Sequence, residues 1–328
     1  MMICELHMTD KKINKYQHMK FDIAVILINY NSSDHSINCI RSIVEKTSIE
    51  IKYQIIITDN CSENEDYLKL KLFCDDSGYV NLHLYQSQIN TGFGGGNMLG
   101  VQLANAKYFA FVNNDTLLKN DCLSILKNAL ENNLEIGIAG AQAYKENGDF
   151  MISLDHFASP AREIFGRVFL ENINSKKYPK RKKKYTSPQR VNFVPGSFMF
   201  VRTEDFNAVG GFDTNIFLYY EETDLCLRLS YKSKFAYLIP EAKFIHIHGA
   251  STEKSLAIKK ELKISLLYVI QKHYGFFGHK IVLLFLAVKY FFSSIVKPKN
   301  WSLFLLILVG APVSKSLKMK QKIKQLET

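Results

Sequence analysis

The stretch FDIAVILINYN, residues 21–31, decides the fold: it is an almost uninterrupted apolar run followed by Asn29, Tyr30 and Asn31. Such runs are typical of parallel strands that are buried on both faces. Alternating with stretches of helical spacing, similar runs occur at 53–59, 81–86, 107–115 and 135–140. This alternation predicts an α/β fold in which a mostly parallel sheet is covered by helices on both faces.

The chain divides into three predicted parts. Residues 1–20 form an N-terminal extension, 21–252 the globular domain, and 253–328 a helical C-terminal region. The regular alternation of strands and helices ends near Ala141. In the second half of the domain, the basic, Pro-containing stretch 172–190 is typical of a mobile loop.

The positive charge of the protein is concentrated in the C-terminal region. Residues 254–328 contain fourteen lysines and two acids, or +12, whereas the whole chain carries +11. Helices are predicted at 254–274, 281–296 and 301–313; the last two are apolar and shorter than the roughly 20 residues that span a bilayer. A region both basic and apolar favours an anionic membrane surface over nucleic acid. A helical cap on the protein's own core, or a homodimer contact, is the alternative.

The cysteines and the N-terminus indicate the compartment. The six cysteines have no CxxC or CxxH spacing, which argues against a zinc site and fits reduced thiols. The first twenty residues contain no apolar run of signal-peptide length. We therefore expect a cytoplasmic protein, peripheral on the inner face of the cell membrane.

Two further predicted strands end in polar residues. Asp59 and Asn60 close the run YQIIITD, and Asn113, Asn114 and Asp115 follow YFAFV. Because ligands bind at the carboxyl ends of parallel strands, Asp59 could accept hydrogen bonds from a ribose or a base. Asp115 and the neighbouring amide oxygens suit Mg²⁺ or Mn²⁺. In each case a turn or a helix N-cap is the structural alternative.

A glycine-rich segment, NTGFGGGN at 90–97, precedes a predicted helix. Glycines there let the backbone approach a phosphate at the positive end of the helix. Gly92 and Gly94 also fit a degenerate dinucleotide fingerprint, with Asp115 about twenty residues further on. A nicotinamide-dependent oxidoreductase is therefore a rival hypothesis, although that fingerprint normally follows the first strand.

Carboxylates and histidines occur near the end of the domain. Glu221, Glu222 and Asp224 stand at the start of a predicted helix, where the helix dipole alone would favour acids. Mutual repulsion would also raise the proton affinity of one of them and make it a candidate base. His246 and His248 share one face of a predicted strand, so that one could ligate a metal or simply be a hydrogen-bonded core residue.

Taken together, these motifs resemble family 2 of the glycosyltransferases, in its rhamnosyltransferase-like branch. The resemblance covers about residues 22–251. It rests on VILINYN (25–31), IITDNCSEN (56–64), NTGFGGGNMLG (90–100), FVNNDT (111–116), VPGSFMFVRTEDFNAVGGFDTNIFLYYEETDLCLRL (194–229) and PEAKFIHIHGAS (240–251). It implies a GT-A-type, Rossmann-like fold with a nucleotide-binding half, 21–140, and an acceptor-binding half, 141–252.

The resemblance also implies roles for individual residues. Asp115 and His246 match metal ligands, and the position of the catalytic base, normally Asp, is occupied here by Glu222. Glu221 and Asp224 are the alternative bases. With the strand-end residues included, the predicted donor site comprises Asn29, Tyr30, Asn31, Asp59, Asn90, Gly92, Gly94, Asn97, Asn113, Asn114, Gly196 and Ser197.

The function implied is an inverting, metal-dependent glycosyltransferase of surface polysaccharide synthesis. Its donor would be a nucleotide-diphosphate sugar of the dTDP-rhamnose or UDP-hexose class, and its acceptor a glycan or a lipid-diphosphate-linked glycan. The cofactor would be Mg²⁺ or Mn²⁺. Because Glu222 departs from the family pattern, a catalytically inactive membrane adaptor is a second alternative. The basic loop could steer a lipid-diphosphate acceptor or simply be solvated.

Overall fold

The computed structural model describes residues 20–247 and 255–324. The predicted N-terminal extension, the boundary between 252 and 253, and His248 therefore lie outside the described residues, apart from Lys20. The strands are β1 Phe21–Asn29, β2 Tyr53–Asp59, β3 Leu82–Gln86, β4 Ala106–Asn113, β5 Thr116–Leu118, β6 Ile136–Tyr144, β7 Gln189–Val191, β8 Phe198–Arg202 and β9 Phe235–His246. The helices are α1 Ser33–Lys46, α2 Asn64–Asp76, α3 Gly92–Leu103, α4 Cys122–Asn132, α5 Pro160–Phe165, α6 Arg167–Ile173, α7 Thr203–Ala208, α8 Glu221–Ser230, α9 Leu256–Val296 and α10 Trp301–Leu308.

The described strands form a single sheet in the order β3-β2-β1-β4-β8-β6-β9-β5, with β7 also paired to β9. Strands β1 to β4 pair in parallel, as the alternation predicted. Beyond β4 the sheet is mixed, because β8 is antiparallel to both β4 and β6. The α/β fold is confirmed, and beyond β4 the described strands pair antiparallel except for β6 with β9, which are parallel.

Two hydrophobic clusters hold helices on opposite faces of the sheet. One contains Ile40 of α1 and Leu126 of α4. The other contains Phe206 of α7 and Leu225 of α8. The central side chains of β1 alternate between the clusters: Ile23, Val25 and Leu27 lie in the first, and Ala24 and Ile26 in the second. Burial on both faces is the reason that this strand is apolar throughout.

The C-terminal region differs from the expected set of helices. The first two predicted helices are joined into α9, which is interrupted only at Gly275, where φ is 66°. By length and composition alone, α9 could cross a membrane. Its first half packs on the domain in a third cluster with Ala158 and Ile216. The predicted helix 301–313 is shorter, since α10 ends at Leu308.

Irregular segments also differ from the expectations. The stretch 172–190 is a loop in most of its length, but α6 extends into it to Ile173 and β7 begins at Gln189. Its Arg181 bonds to Glu171 at 2.8 Å. The two closing strands predicted at 235–240 and 243–249 are one strand, β9, with an irregularity in its pairing to β6.

Candidate functional site

The carboxyl ends of β1, β2 and β4 lie side by side, as the sequence predicted. The parallel register places Asn29 opposite Asp59, and Ile28 opposite Asn113. This edge of the sheet therefore brings together polar residues that lie far apart in the chain. In parallel α/β sheets this is the edge where ligands bind.

Asn29 is the centre of a buried hydrogen-bond network at this edge. Its Nδ2 donates to Asp59 Oδ1 and Asp66 Oδ2, both at 2.9 Å, and also lies 3.1 Å from Ser62 Oγ. Its Oδ1 accepts from Ser36 Oγ at 2.7 Å. Through these bonds Asn29 fixes the relative positions of β1, β2 and α2. Asn29 therefore has a structural role, and the predicted contact with a nucleotide-sugar would be a second one. Asp66 and Ser62 were not identified from the sequence, where only their position near the start of a helix was visible.

Asp59 is completely buried. Burial raises the pKa of its carboxyl, while hydrogen bonds from Ser62 and Asn29 act in the opposite direction. The Ser62 amide donates to Asp59 Oδ2 at 3.1 Å. Beside it, the predicted donor residues Tyr30 and Asn31 are exposed, and Asn31 Oδ1 accepts from the Glu63 amide at 2.7 Å. A ligand at this edge would reach Tyr30 and Asn31 first.

Asn114 extends the same network toward the centre of the sheet. Its Nδ2 donates to Ser32 Oγ at 2.7 Å and to Ser36 Oγ at 2.9 Å. The Asn113 amide donates to the Ser197 carbonyl at 3.0 Å. The turn with Gly196 and Ser197 is thereby joined to the end of β4.

Asp115 and His246 meet at the same edge. The β5–β9 register places Thr116 opposite His246, and His246 Nε2 lies 3.1 Å from Asp115 Oδ1. Asp115 is buried, and within residues 20–247 and 255–324 its Oδ1 has no aligned hydrogen-bond donor. A buried carboxylate oxygen facing an imidazole nitrogen fits a divalent cation of the Mg²⁺ or Mn²⁺ type. No group of three or more such ligands occurs among the described residues, so the cation would need oxygens from substrate or water.

The glycine-rich segment packs against the protein itself. At Gly92, φ is 74° and an added Cβ would overlap the carbonyl group of Phe217. The Phe93 amide donates to that carbonyl at 3.0 Å. A Cβ at Gly96 would lie 3.0 Å from Ile28, and one at Gly94 3.4 Å from Phe212. The glycines let α3 lie close to β1 and to the 212–217 segment, a packing role that the sequence analysis missed.

The two asparagines of the segment support its conformation. Asn90 Oδ1 accepts from the Gly92 amide at 2.9 Å and from Asn60 Nδ2 at 3.0 Å. Asn97 is buried, and its Nδ2 donates to the Phe93 carbonyl at 3.0 Å. Asn90 and Asn97 therefore have structural roles, and the predicted contacts with a nucleotide-sugar would be additional.

Glu222 lies beside the Gly196 turn. The Gly196 amide donates to Glu222 Oε1 at 3.4 Å, and a Cβ at Gly196 would lie 3.4 Å from Glu222 Cγ. The side chain is partly buried, and burial raises the pKa of its carboxyl, with a further increase from the charge of Asp155. A carboxylate with raised proton affinity and partial exposure is suited to accept a proton.

The other two acids of α8 have different environments. Glu221 is 2% exposed, its Oε1 has no partner among the described residues, and burial and the charge of Glu222 raise its pKa well above the usual value. Asp224 is fully buried, and despite that burial its contacts to His273, Arg228 and other cations lower its pKa to about 2. Such a weakly basic, ion-paired carboxylate is unsuited to proton abstraction. Of the three candidate bases, Asp224 is therefore the least suited to this role.

Known glycosyltransferases are similar to this chain in sequence. Residues 24–210, more than half of the chain, match the sequence model of glycosyl transferase family 2. Rhamnosyltransferase WbbL of Escherichia coli K12 is 28% identical over 260 residues, which cover 76% of this chain and 93% of that protein. The N-acetylglucosaminyl-diphospho-decaprenol L-rhamnosyltransferase of Mycobacterium tuberculosis H37Rv is 31% identical over 91 residues, 27% of this chain and 30% of that protein.

A solved structure extends the likeness over nearly the whole chain. The mannosyltransferase PcManGT from Pyrobaculum calidifontis, in complex with GDP-Man and Mn²⁺, superposes with a TM-score of 0.54 at 12% identity, covering 93% of this chain and 92% of that one. At this identity the likeness concerns the fold alone. It confirms the expected GT-A-type architecture, and nothing in the comparisons supports an oxidoreductase. The chain belongs to glycosyl transferase family 2.

Proposed function

We propose that this glycosyltransferase moves a rhamnosyl or related hexosyl group from a dTDP-sugar or UDP-sugar to a glycan or lipid-linked acceptor in surface polysaccharide synthesis. The observation that carries the proposal is the grouping of Asp115 and His246 with Glu222 around the Gly196–Ser197 turn. The names of the two rhamnosyltransferase relatives support the sugar class. The mycobacterial relative acts on a diphospho-decaprenol substrate, which supports a lipid-linked acceptor.

In the proposed reaction Glu222 acts as general base in a single displacement. Its carboxylate takes the proton of an acceptor hydroxyl as that oxygen bonds to the anomeric carbon. The bond from this carbon to the diphosphate oxygen breaks on the opposite face, the nucleoside diphosphate leaves with the electron pair, and the anomeric configuration inverts. The raised proton affinity of Glu222 fits this role.

Asp115 and His246 are the proposed ligands of a divalent cation, Mg²⁺ or Mn²⁺. Such a cation would supply positive charge to the departing diphosphate. Asp115 Oδ1 and His246 Nε2 already lie 3.1 Å apart, so little rearrangement is needed to direct both at one ion. Asp115→Asn and His246→Ala should each raise the Mn²⁺ concentration required for half-maximal transfer, and calorimetric titration with MnCl₂ would measure the binding directly.

Replacement of the base tests the mechanism. Glu222→Gln should lower kcat by about 10²- to 10⁴-fold and leave donor affinity nearly unchanged. Glu222→Asp keeps a carboxylate and should retain more activity than the amide variant. Glu45→Gln, at an exposed position of α1, is the matched control. Full transfer by Glu222→Gln would disprove the assignment, and no turnover by the wild-type protein with any donor would favour the adaptor hypothesis.

The donor can be identified by binding alone. Calorimetric titration with dTDP-rhamnose, UDP-glucose, UDP-galactose and GDP-mannose, each with Mn²⁺, should give one clearly preferred ligand. Saturation by a dTDP-sugar or UDP-sugar supports the proposal. A preference for GDP-mannose would contradict the proposed donor class while leaving the family unchanged.

We also propose that the enzyme is peripheral on the inner face of the cell membrane. After Gly275, α9 exposes Phe277, Leu284 and Val296, and α10 exposes Trp301 and Leu305. Exposed apolar residues near many lysines fit a helix that lies in the headgroup region of an anionic bilayer. The protein should sediment with phosphatidylglycerol vesicles and less with phosphatidylcholine vesicles, and Phe277→Ser with Leu284→Ser should reduce this binding. Unchanged binding would disprove the contact, and a stable dimer in solution would indicate that a second copy covers this face.

A second apolar patch supports a lipid-linked acceptor. Phe165 and Phe169 of α5 and α6 are exposed, and their rings stack at 5.2 Å. The exposed lysines of the loop follow directly. Replacing Lys182, Lys183 and Lys184 with Ser should raise KM for a polyprenyl-diphosphate acceptor but not for a water-soluble analogue. Equal KM values for both acceptors would contradict steering by the loop.

A further inference from the structure

The C-terminal helix α9 is ion-paired to the segment that precedes and starts the α8 helix. Lys272 Nζ lies 2.6 Å from Asp213 Oδ2 and 2.7 Å from Asp224 Oδ1. His273 Nε2 lies 2.8 Å from the same Asp224 oxygen. Asp224 Oδ2 is held from within α8 by Arg228 at 2.6 Å. The carboxylate of Asp224 is thus shared between α8 and α9.

Further contacts continue along one face of α9. Tyr268 Oη donates to Asp213 Oδ2 at 2.8 Å, and Ser265 Oγ donates to the Leu218 carbonyl at 2.8 Å. Residues 265, 268 and 272 follow the spacing of one helix face. This face therefore lies along residues 213–224 and fixes both ends of that segment.

The same segment, residues 213–224, contacts both the glycine-rich segment at the start of α3 and the Gly196 turn. Its Phe217 carbonyl accepts the hydrogen bond from the Phe93 amide at the start of α3. Its Glu222 carboxylate faces the Gly196 amide at 3.4 Å. Asp224 is two residues beyond Glu222 in the same first turn of α8. A shift of Asp224 would consequently shift the start of α8 and the carboxylate of Glu222.

Because Asp224 is buried, nearby cations must compensate the charge of its carboxylate. The side chain is 0% exposed, so its charge depends on the cations around it. When one partner of a buried ion pair is removed, the remaining charge must rearrange or attract water. Lys272 is 28% exposed and could be replaced without opening the core.

We propose that Lys272 and His273 are positioning residues: through the buried carboxylate of Asp224 they hold the first turn of α8, and with it Glu222, in place for proton transfer. The C-terminal helix α9 would then support the site as well as form the proposed membrane contact. This inference rests on the proposed function of Glu222. Misplacement of a reacting group by about 1 Å can cost about 10²-fold in rate.

The test compares Lys272→Met with Lys272→Arg and with Lys259→Met, an exposed lysine on the same helix. Lys272→Met should lower kcat about 10- to 100-fold, with donor KM changed less than about twofold. Lys272→Arg should recover most of the rate, and Lys259→Met should behave as wild type. Unchanged kcat in folded Lys272→Met would overturn the proposal.

A double variant separates positioning from general loss of structure. In a Glu222→Gln background, Lys272→Met should have little further effect, because residues that act through one group are not additive. A further loss as large as that in the wild-type background would contradict positioning of Glu222. If Lys272→Met does not fold, His273→Phe, which removes the ring nitrogen that faces Asp224, is measured in the same way and with the same two outcomes. Absence of transfer by the wild-type protein would refute the proposed function, and this inference with it.

Discussion

Replacement of Asp224 by Asn should destabilise the protein in a pH-dependent manner. The wild-type carboxyl has a pKa lowered from 3.8 to about 2 by its buried ion pairs. Since one pKa unit corresponds to about 1.4 kcal/mol, the ionised group stabilises the folded state by about 2 kcal/mol above pH 5 or so. This contribution decreases as the pH falls through the unfolded-state pKa toward the folded-state pKa. At pH 3 about half of it should remain.

Urea unfolding followed by circular dichroism measures this difference. At pH 7, Asp224→Asn should lose about 2 kcal/mol or somewhat more, since it also leaves Lys272 and His273 facing an amide. Between pH 7 and pH 3 the gap to wild type should narrow by about 1 kcal/mol. Asp34→Asn, which removes an exposed pair with Lys69, should cost less than about 1 kcal/mol at either pH. A gap for Asp224→Asn that stays constant or widens toward low pH would refute the ion-pair explanation.

Three further predictions concern buried positions. Gly92→Ala should lower the free energy of unfolding in urea by more than about 2 kcal/mol, because φ is 74° and the new Cβ would overlap the Phe217 carbonyl. The control Gly148→Ala, at a positive φ in open space, should lower it by about 1 kcal/mol. Equal losses for the two variants would contradict the overlap. Asn29→Ala should lower the free energy of unfolding by about 3 kcal/mol, since buried partners lose their hydrogen bonds, and a loss below about 1 kcal/mol would argue against the network. Burial raises the pKa of the Cys39 thiol, so at pH 8 this thiol should react with a thiol reagent only after unfolding. Mass spectrometry would identify the labelled cysteine. Fast labelling of Cys39 in the native protein would disprove the prediction.

Local patterns in the sequence predicted the first half of the fold closely. The apolar runs 21–29 and 53–59 coincide with β1 and β2, because strands buried on both faces must be apolar throughout. The polar residues at the ends of these strands predicted a site at the carboxyl edge of the sheet, and Asn29 and Asp59 lie opposite each other there. The meeting of Asp115 with His246 came from the family resemblance, since no local pattern relates residues so far apart.

Features that depend on long-range packing were not predictable. The three-residue strand β5 is too short to show a period, and nothing local indicates that β8 would insert antiparallel to β4. The glycines at 92–96 fit a phosphate-binding loop by local pattern. Their packing role is not visible in the sequence, because the residues that they contact are distant in the chain. The ion pairs of Asp224 with α9 likewise join segments that have no common sequence signal.

The position of β8 has a consequence for synthesis of the chain. β4 emerges from the ribosome long before its partner β8. The edge of β4 that later pairs with β8 therefore stays unpaired until residues 198–202 have been synthesised. Pairing of such distant strands is slow, and an exposed apolar edge promotes aggregation meanwhile. The nascent protein should therefore depend on chaperones during this interval, and a fragment ending near residue 140 should be insoluble when expressed alone.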